Sequence, residues 1–356
     1  MSAYFRWVAF TSIGFLTAAG CAWPADAAAE SSACESFGPW SPAVNLGSVV
    51  NSPYNDFHPA ISPDGLSLYI TSNRPGGSGL EDLWVSHRAS IDAPWGSPVP
   101  LGPSINTSDS EYAPNVSADG HWLLFSRANR PFGQIGASQI YVSHRDDTGD
   151  DFGWEPAQPL GGGINDPSYD TNAPRIFVDA TTGIVSIFFN SILRTGGLGD
   201  FDEYVSRRGV PGDLDLYHLK FPEGDDVTAL NSPYRDTPTG IRSDGLAMFV
   251  TSNRDGFQGQ MDSPPTPRNL DLWFSMRSSS LDDEWEPPVN LNADALNENG
   301  EPCSAAPSPV CINTTSNEGA PALSVDGTAL YFYSDRPGGY GGRDLYVATR
   351  SPLRGE

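Results

Sequence analysis

The sequence predicts an all-β fold, a five-bladed β-propeller of four-stranded antiparallel blades closed by an N-terminal outer strand in the last blade. Three observations predict it. One segment recurs five times, most clearly as NDFHPAISPDGLSLYITSNRPGGSGLEDLWVSHR (Asn55 to Arg88) and NEGAPALSVDGTALYFYSDRPGGYGGRDLYVATR (Asn317 to Arg350), with copies beginning near Glu111, Asp170 and Asp236. Repeats of this length signal a solenoid or a propeller. Each copy sets a tight turn before an alternating strand, and no helical period competes with it. The last copy lacks a fourth strand, and a matching segment stands alone ahead of the first.

Taken in order, residues 1–27 read as an export signal. Arg6 supplies the positive start, Trp7 to Ala22 the apolar run, Trp23-Pro24 the break and Ala25-Asp26-Ala27 a small-residue cleavage site. Ala18-Ala19-Gly20-Cys21 resembles a lipoprotein box, so cleavage before Cys21 with lipid anchoring is the alternative. The apolar run is too short and interrupted for a membrane span, and no later segment resembles one. Residues 28–39 read as a linker, 40–350 as a single propeller and 351–356 as a tail. The expected location is the periplasm or the exterior, and the expected state a monomer. In an oxidising compartment Cys303 and Cys311, close together in a Pro-, Ala- and Ser-rich loop, are expected to pair, leaving Cys34 over or competing for one of them.

Within a repeat, a short apolar stretch after a Pro (Pro59-Ala60-Ile61-Ser62) leads to the turn Asp64-Gly65, a strong hairpin signal. The turn Asp recurs at Asp119, Asp244 and Asp326, and at Asp179 with a longer turn to Gly183. A strand from Leu66 to Asn73 alternates Leu66, Leu68 and Ile70 with Ser67, Tyr69 and Thr71. A Gly-rich loop (Arg74 to Gly79) and a third strand (Asp82 to His87) follow, and Trp with Pro marks a fourth near Trp95, Trp154 and Trp285, with a degenerate one around Val227 to Leu230. Trp40-Ser41-Pro42-Ala43-Val44-Asn45-Leu46 matches Trp285-Glu286-Pro287-Pro288-Val289-Asn290-Leu291, so it is expected to complete the last blade and hide its open edge.

These phrases, SPDG followed by LY, then SNRPGGSG and DLWVS, resemble the PD40 or WD40-like repeats of the TolB-type propeller family over about residues 40 to 350. The nearer likeness is to exported propellers that sit beside OmpA-like domains. The resemblance implies an envelope-located interaction module. The chain carries neither the TolB-like N-terminal domain nor the OmpA-like domain, so Tol-system and peptidoglycan binding do not carry over.

The net charge of −24 argues against nucleic acid, whose phosphates would be repelled, and against docking on an anionic membrane. Asn precedes an acid by five residues in every repeat: Asn51/Asp56, Asn106/Glu111, Asn165/Asp170, Asn231/Asp236 and Asn313/Glu318. This segment enters the innermost strand, so the five acids are expected near the mouth of the central channel. Such a ring would bind a ligand or calcium, or would supply the acid and base of a glycoside hydrolase through Asp56, Glu111 and Asp170. No other cofactor is implied. The competing expectation is structural. Each second strand ends at an Arg (Arg74, Arg194, Arg254, Arg336, and Arg127 or Arg130), and third strands open with Asp82, Asp215, Asp271 or Asp344, so the Arg would sit between two acids. The Asn is expected to cap a turn. The second repeat lacks the third-strand acid, which singles out Glu111 as the least occupied.

Where the repeats disagree, His58 stands against Ala113, Ala173, Thr237 and Ala320, as a proton carrier near the mouth or as a neutral packed residue. Insertions at Thr195 to Leu214, Asp255 to Asn269 and Asn292 to Ser316 are expected to rise from one face, the natural place for a protein or glycan partner. Sialidase Asp boxes, a Ser nucleophile elbow and an HExxH motif are all missing from the sequence. The leading expectation is therefore a non-catalytic binding propeller of the bacterial envelope. A glycoside hydrolase and a calcium-dependent module are the alternatives.

Overall fold

The computed structural model describes residues 36–129, 138–192, 194–209, 214–254, 269–280 and 282–353. The export signal, Cys21, Cys34, Arg130 and most of the insertion at 255–269 lie outside the described residues. Strands β1 (Ser36–Phe37) and β2 (Val44–Asn45) precede the first blade, which comprises β3 (Asp56–Ile61), β4 (Ser67–Ser72), β5 (Asp82–His87) and β6 (Val99–Pro100). Blade 2 holds β7 (Ser110–Val116), β8 (Trp122–Ala128), β9 (Gln139–His144) and β10 (Gln158–Pro159). Blade 3 holds β11 (Asp170–Val178), β12 (Ile184–Ile192), β13 (Phe201–Gly209) and β14 (Asp225–Asp226). Blade 4 holds β15 (Asp236–Ile241), β16 (Ala247–Ser252), β17 (Asp271–Met276) and β18 (Val289–Asn290). Blade 5 holds β19 (Glu318–Leu323), β20 (Ala329–Ser334) and β21 (Asp344–Thr349), and β2 is its outer strand, pairing Val44 with Val347 and Asn45 with Tyr346. The expected five-bladed ring and its N-terminal closure are both present.

The ends of the chain go further than the expected linker and tail. β22 (Pro352–Leu353) pairs with β1, and Arg350 stacks on Phe37 (4.0 Å) and Trp40 (4.2 Å). Trp40 is fully buried in the cluster between blades 4 and 5 with Leu272, Leu291, Phe332 and the disulfide-linked Cys303 and Cys311. Four similar clusters fill the other blade interfaces, so the core is a set of five wedges between sheets.

One local device explains three recurrent residue types together. The turn glycines Gly65, Gly120, Gly245 and Gly327 take φ of 72°, 80°, 73° and 72°, a left-handed conformation that glycine adopts without penalty. Their carbonyls accept Nε–H of Arg88, Arg145, Arg277 and Arg350 (2.8, 2.9, 2.8 and 2.8 Å). Each guanidinium then stacks on the outer-strand tryptophan, respectively Trp95, Trp154, Trp285 and Trp40, at 4.4, 4.4, 4.3 and 4.2 Å.

The recurrent Asn does not cap a turn. It clips the segment entering one blade to the third strand of the preceding blade. Asn106 Nδ2 donates to Leu83 O and Leu83 N–H donates to Asn106 Oδ1, both at 2.9 Å. Asn165 does the same with Ile140, Asn231 with Glu203, Asn313 with Leu272 and Asn51 with Leu345.

Blade 3 departs from the sequence-based assignment. Its third strand is β13, inside the supposed insertion Thr195 to Leu214, and its opening acid is Asp202. Asp215 lies instead in an exposed turn, 2.7 Å from His218 Nδ1. The extra chain of this blade therefore falls between β13 and β14, at the opposite end of the blade from the expected looped face.

Candidate functional site

The five innermost strands β3, β7, β11, β15 and β19 contact one another in turn around the axis. Each carries a bulge just after its start. In four blades the bulge residue is left-handed: His58 (φ 47°), Ala113 (53°), Ala173 (51°) and Ala320 (50°). Pro238 takes this place in blade 4, so the residue aligned with His58 there is Pro238 and not Thr237. The bulge turns that residue's own backbone N–H toward a neighbouring blade. Ala113, Ala173 and Ala320 donate to Thr71, Ser126 and Thr251 hydroxyls at 3.2, 2.9 and 2.9 Å.

Above the bulges lies an axial cavity of about 60 Å³, to which all five blades contribute: His58, Tyr112, Asn172, Asn190, Thr237, Thr251, Tyr333 and, at the mouth, Arg235, Leu270 and Arg343. A second cavity, of about 100 Å³, opens at the other end of the axis and is lined largely by Pro59, Ile61, Val116, Ile176, Ile241 and Leu323. Arg175 lines this second cavity. It is fully buried, with Nε–H donated to Thr239 O (2.7 Å) and Nη1–H to Pro174 O (2.6 Å). Burial lowers its pKa to about 10.

The acids expected to ring this opening do not face it. Asp56, Glu111, Asp236 and Glu318 are fully buried, Asp170 is buried, and none of them lines either cavity. Asp56 accepts from Arg74 Nη2 (2.5 Å), Ser72 Oγ (2.6 Å) and Ser52 N (2.6 Å). Asp236 repeats this with Arg254 (2.5 Å), Ser252 and Ser232. Glu318 is held by Arg336 (3.2 Å), Ser334 and Thr314. Glu111, expected to be the least occupied, accepts from Arg127 Nε (2.8 Å) and from the Thr107 hydroxyl (2.6 Å) and N–H (3.0 Å). Burial is the leading influence on Glu111 and Glu318 and raises both carboxyls.

In blade 3 the acid is one residue out of register. Thr171, which pairs with Ser191, occupies the place of Asp56, which pairs with Ser72. Arg194 accordingly reaches Thr171 Oγ1 (3.3 Å) and Ile164 O (2.7 Å), while Asp170 accepts from Ser138 N–H (3.0 Å) and the Ser138 hydroxyl. Among the described residues no group of three or more His, Cys, Asp or Glu is arranged to hold a metal ion. The five dispersed acids therefore make neither the expected calcium ring nor a carboxylate pair at the opening.

The third-strand acids do not share the Arg either. Asp82 accepts from Ser78 N–H (3.0 Å) and Gly79 N–H (3.2 Å), and Asp344 from Tyr340 N–H (2.5 Å) and Gly341 N–H (3.1 Å). This explains the glycine pair, since a Cβ at Gly77 or Gly339 would fall 1.9 Å from Asp82 or Asp344 Oδ2. Asp271 accepts from Asn290 (3.1 Å), and burial pushes its carboxyl up to about 8. The guanidiniums stack instead on third-strand rings, Arg74 over Trp84 (5.4 Å), Arg254 over Trp273 (5.6 Å) and Arg336 over Tyr346 (4.6 Å).

His58 is the one expected site residue that lines the axial cavity. It packs against Phe57 (4.7 Å), Tyr112 (6.1 Å) and Tyr333 (6.2 Å). Burial, and then the charges of Arg175, Arg343 and Arg235, hold its pKa well below the usual histidine value, so the ring is neutral at neutral pH. Sequence reasoning missed Arg235, Arg343 and Arg175. The signal was a cation where other repeats hold none: Arg235 aligns with Asn55, Ser110 and Asn317, and Arg175 with Ala60 and Asn115.

No protein-family model and no curated protein matches this sequence. Solved structures share its fold. A family 117 glycoside hydrolase produced by the marine bacterium Zobellia galactanivorans is 12% identical, covering 90% of this chain and 91% of its own, with a TM-score of 0.51. An α-L-arabinofuranosidase from Podospora anserina, in complex with cellotriose, is 14% identical over 89% of this chain and 98% of its own, with a TM-score of 0.49. A GH43_1 enzyme from Xanthomonas citri, complexed with xylotriose, is 11% identical over 88% of this chain and 90% of its own, also with a TM-score of 0.49. At these identities the likeness is one of fold. Among the described residues no helix is long and apolar enough to cross a membrane.

Proposed function

We propose that this protein engages glycans at the axial opening where its inner strands begin. The observation that carries this reading is the composition of the opening. Amides from Asn172 and Asn190, hydroxyls from Thr237 and Thr251, and the rings of Tyr112 and Tyr333 converge there from different blades. Aromatic faces with a few fixed hydrogen-bonding groups suit the alternating apolar and hydroxylated surfaces of a sugar. The export signal read from residues 1–27 and the resemblance to PD40 propellers are consistent with a role in the bacterial envelope, where such ligands are met. A glycan partner is favoured over an envelope protein because the recognisable feature is a concave polar opening.

Hydrolysis of a glycosidic bond is the second reading, and the fold shared with the family 117 glycoside hydrolase favours it. Two carboxyl groups flanking the bond are the usual requirement. Among the described residues the lining of the axial cavity holds neither Asp nor Glu, which is why binding without turnover is put first. The test is co-sedimentation and calorimetry with a panel of polysaccharides, together with assay of released reducing ends. Binding without release, weakened by Asn172→Ala at an unchanged melting temperature, supports the leading reading. Release of sugar establishes the second. Neither binding nor release across the panel removes both.

A further inference from the structure

The chain carries a net charge of −24, yet among the described residues the charged side chains that line the two axial cavities are arginines. Arg235 and Arg343 line the axial cavity, and the fully buried Arg175 lines the second cavity at the other end of the axis. Three different blades supply them. The charges of all three bear on His58, which lines the axial cavity with Arg235 and Arg343. No carboxylate among the described residues lies within ion-pair distance of Arg175 or Arg235. The partners of Arg175 are two backbone carbonyls, and Arg235 stacks over Phe201 at 4.6 Å. This contrasts with Arg74, Arg127, Arg254 and Arg336, each of which meets a buried acid. Arg235, half-buried and with no counter-charge among the described residues, would draw an anion into the axial cavity. His58, held neutral beside them, presents no further charge.

We infer that the axial cavity is a carboxylate-binding site gated by Arg235 and Arg343, so the glycans this opening takes are acidic, with the carboxylate of a uronic acid inserted beside those two guanidiniums. The glycan part of this inference rests on the function proposed above. The size of the cavity supports a substituent in place of a whole sugar ring: about 60 Å³ holds a few waters, at roughly 10–15 Å³ each by this measure. The ring would lie at the mouth beside Leu270, and the carboxylate would take paired N–H donors from a guanidinium.

Calorimetry with the purified protein tests this with three probes: an oligogalacturonate, its methyl ester, and acetate. The expected result is binding of the oligogalacturonate, at least ten-fold weaker binding of the ester, and a loss of at least ten-fold for Arg235→Gln with the melting temperature unchanged. Arg235→Lys should recover part of the affinity. Equal binding of acid and ester, or an unaffected Arg235→Gln, overturns the carboxylate site while leaving a glycan-binding opening in place. Acetate binding that is lost in Arg235→Gln, with no preference for the oligomer, keeps the anion site and removes its glycan source. No binding of any probe overturns the inference.

Discussion

Asn51 Nδ2 donates to the Leu345 carbonyl at 3.0 Å while Leu345 N–H donates to Asn51 Oδ1 at 2.8 Å, joining the start of blade 1 to the third strand of blade 5 across 294 positions. The same two-way clip recurs at every blade junction, and here it closes the ring. Removing it leaves the Leu345 N–H without its partner, at about 1–3 kcal/mol, while the Leu345 carbonyl keeps the Leu46 N–H at 2.9 Å. Asn51→Ala should therefore lower the unfolding free energy by about 1–3 kcal/mol in urea. Asn51→Asp, which accepts but cannot donate when ionised, should also be destabilised. An unchanged urea midpoint for Asn51→Ala would show that the junction is held by other means.

The buried Arg–acid pairs carry a larger cost when broken. Arg254→Ala strands the Asp236 carboxylate in the blade and should cost about 3–5 kcal/mol. Blade 3 offers the reverse experiment. Arg194 meets Thr171 at 3.3 Å where other blades hold an acid, so Thr171→Asp should raise the melting temperature. A fall would mean that the site lacks room or that Asp170 already serves Arg194 electrostatically.

Glu203 replaces the apolar residue of the other third strands, Leu83, Ile140, Leu272 and Leu345, and both of its carboxyl oxygens are buried without a hydrogen bond. Burial raises its pKa well above the usual value, and Asp271 is pushed up to about 8. A carboxyl with a raised folded-state pKa contributes stability below its unfolded value, near 4, and loses it as pH rises through the folded value. Glu203→Leu and Asp271→Asn should therefore reduce the loss of stability between about pH 4 and 8. Glu203→Leu should add about 1–3 kcal/mol at the upper end. Parallel stability–pH curves for wild type and both variants would refute this.

Closure depends on Trp40 and on the loop it packs against. Trp40→Ala empties a fully buried site beside Cys303 and Cys311 and should cost about 3–5 kcal/mol. Cys303→Ser with Cys311→Ser removes a covalent tie across 8 positions and should cost about 2 kcal/mol. Deleting residues 40–46 should abolish cooperative unfolding of the whole ring. A deletion with a native melting curve would mean that blade 5 does not need β2.

Much of the fold was legible because its signals are local and repeated. Asp64-Gly65 and its counterparts announce hairpins, and the likeness of Trp40–Leu46 to Trp285–Leu291 announces the closing strand. The misreadings came from single-residue offsets. One extra residue before β11 put Asp170 where Thr171 belongs, and a strand hidden in Thr195 to Leu214 moved the third-strand acid from Asp215 to Asp202. The five acids were visible as a pattern, but their direction was not. A bulge follows each of those strand starts, left-handed at His58, Ala113, Ala173 and Ala320 and built on Pro238 in blade 4, and strand alternation in the sequence cannot reveal it.

The sequence by itself determined the number of blades, the hairpins within each and the chain end that completes the ring, because turn residues and apolar alternation act over a few neighbours. Tertiary structure alone decided which charges face the axis. Arg235 and Arg343 come from two blades and line one cavity only when the ring closes, whereas Asp56, Glu111, Asp236 and Glu318 turn into their own blades, where an Arg and one or more hydroxyls satisfy them.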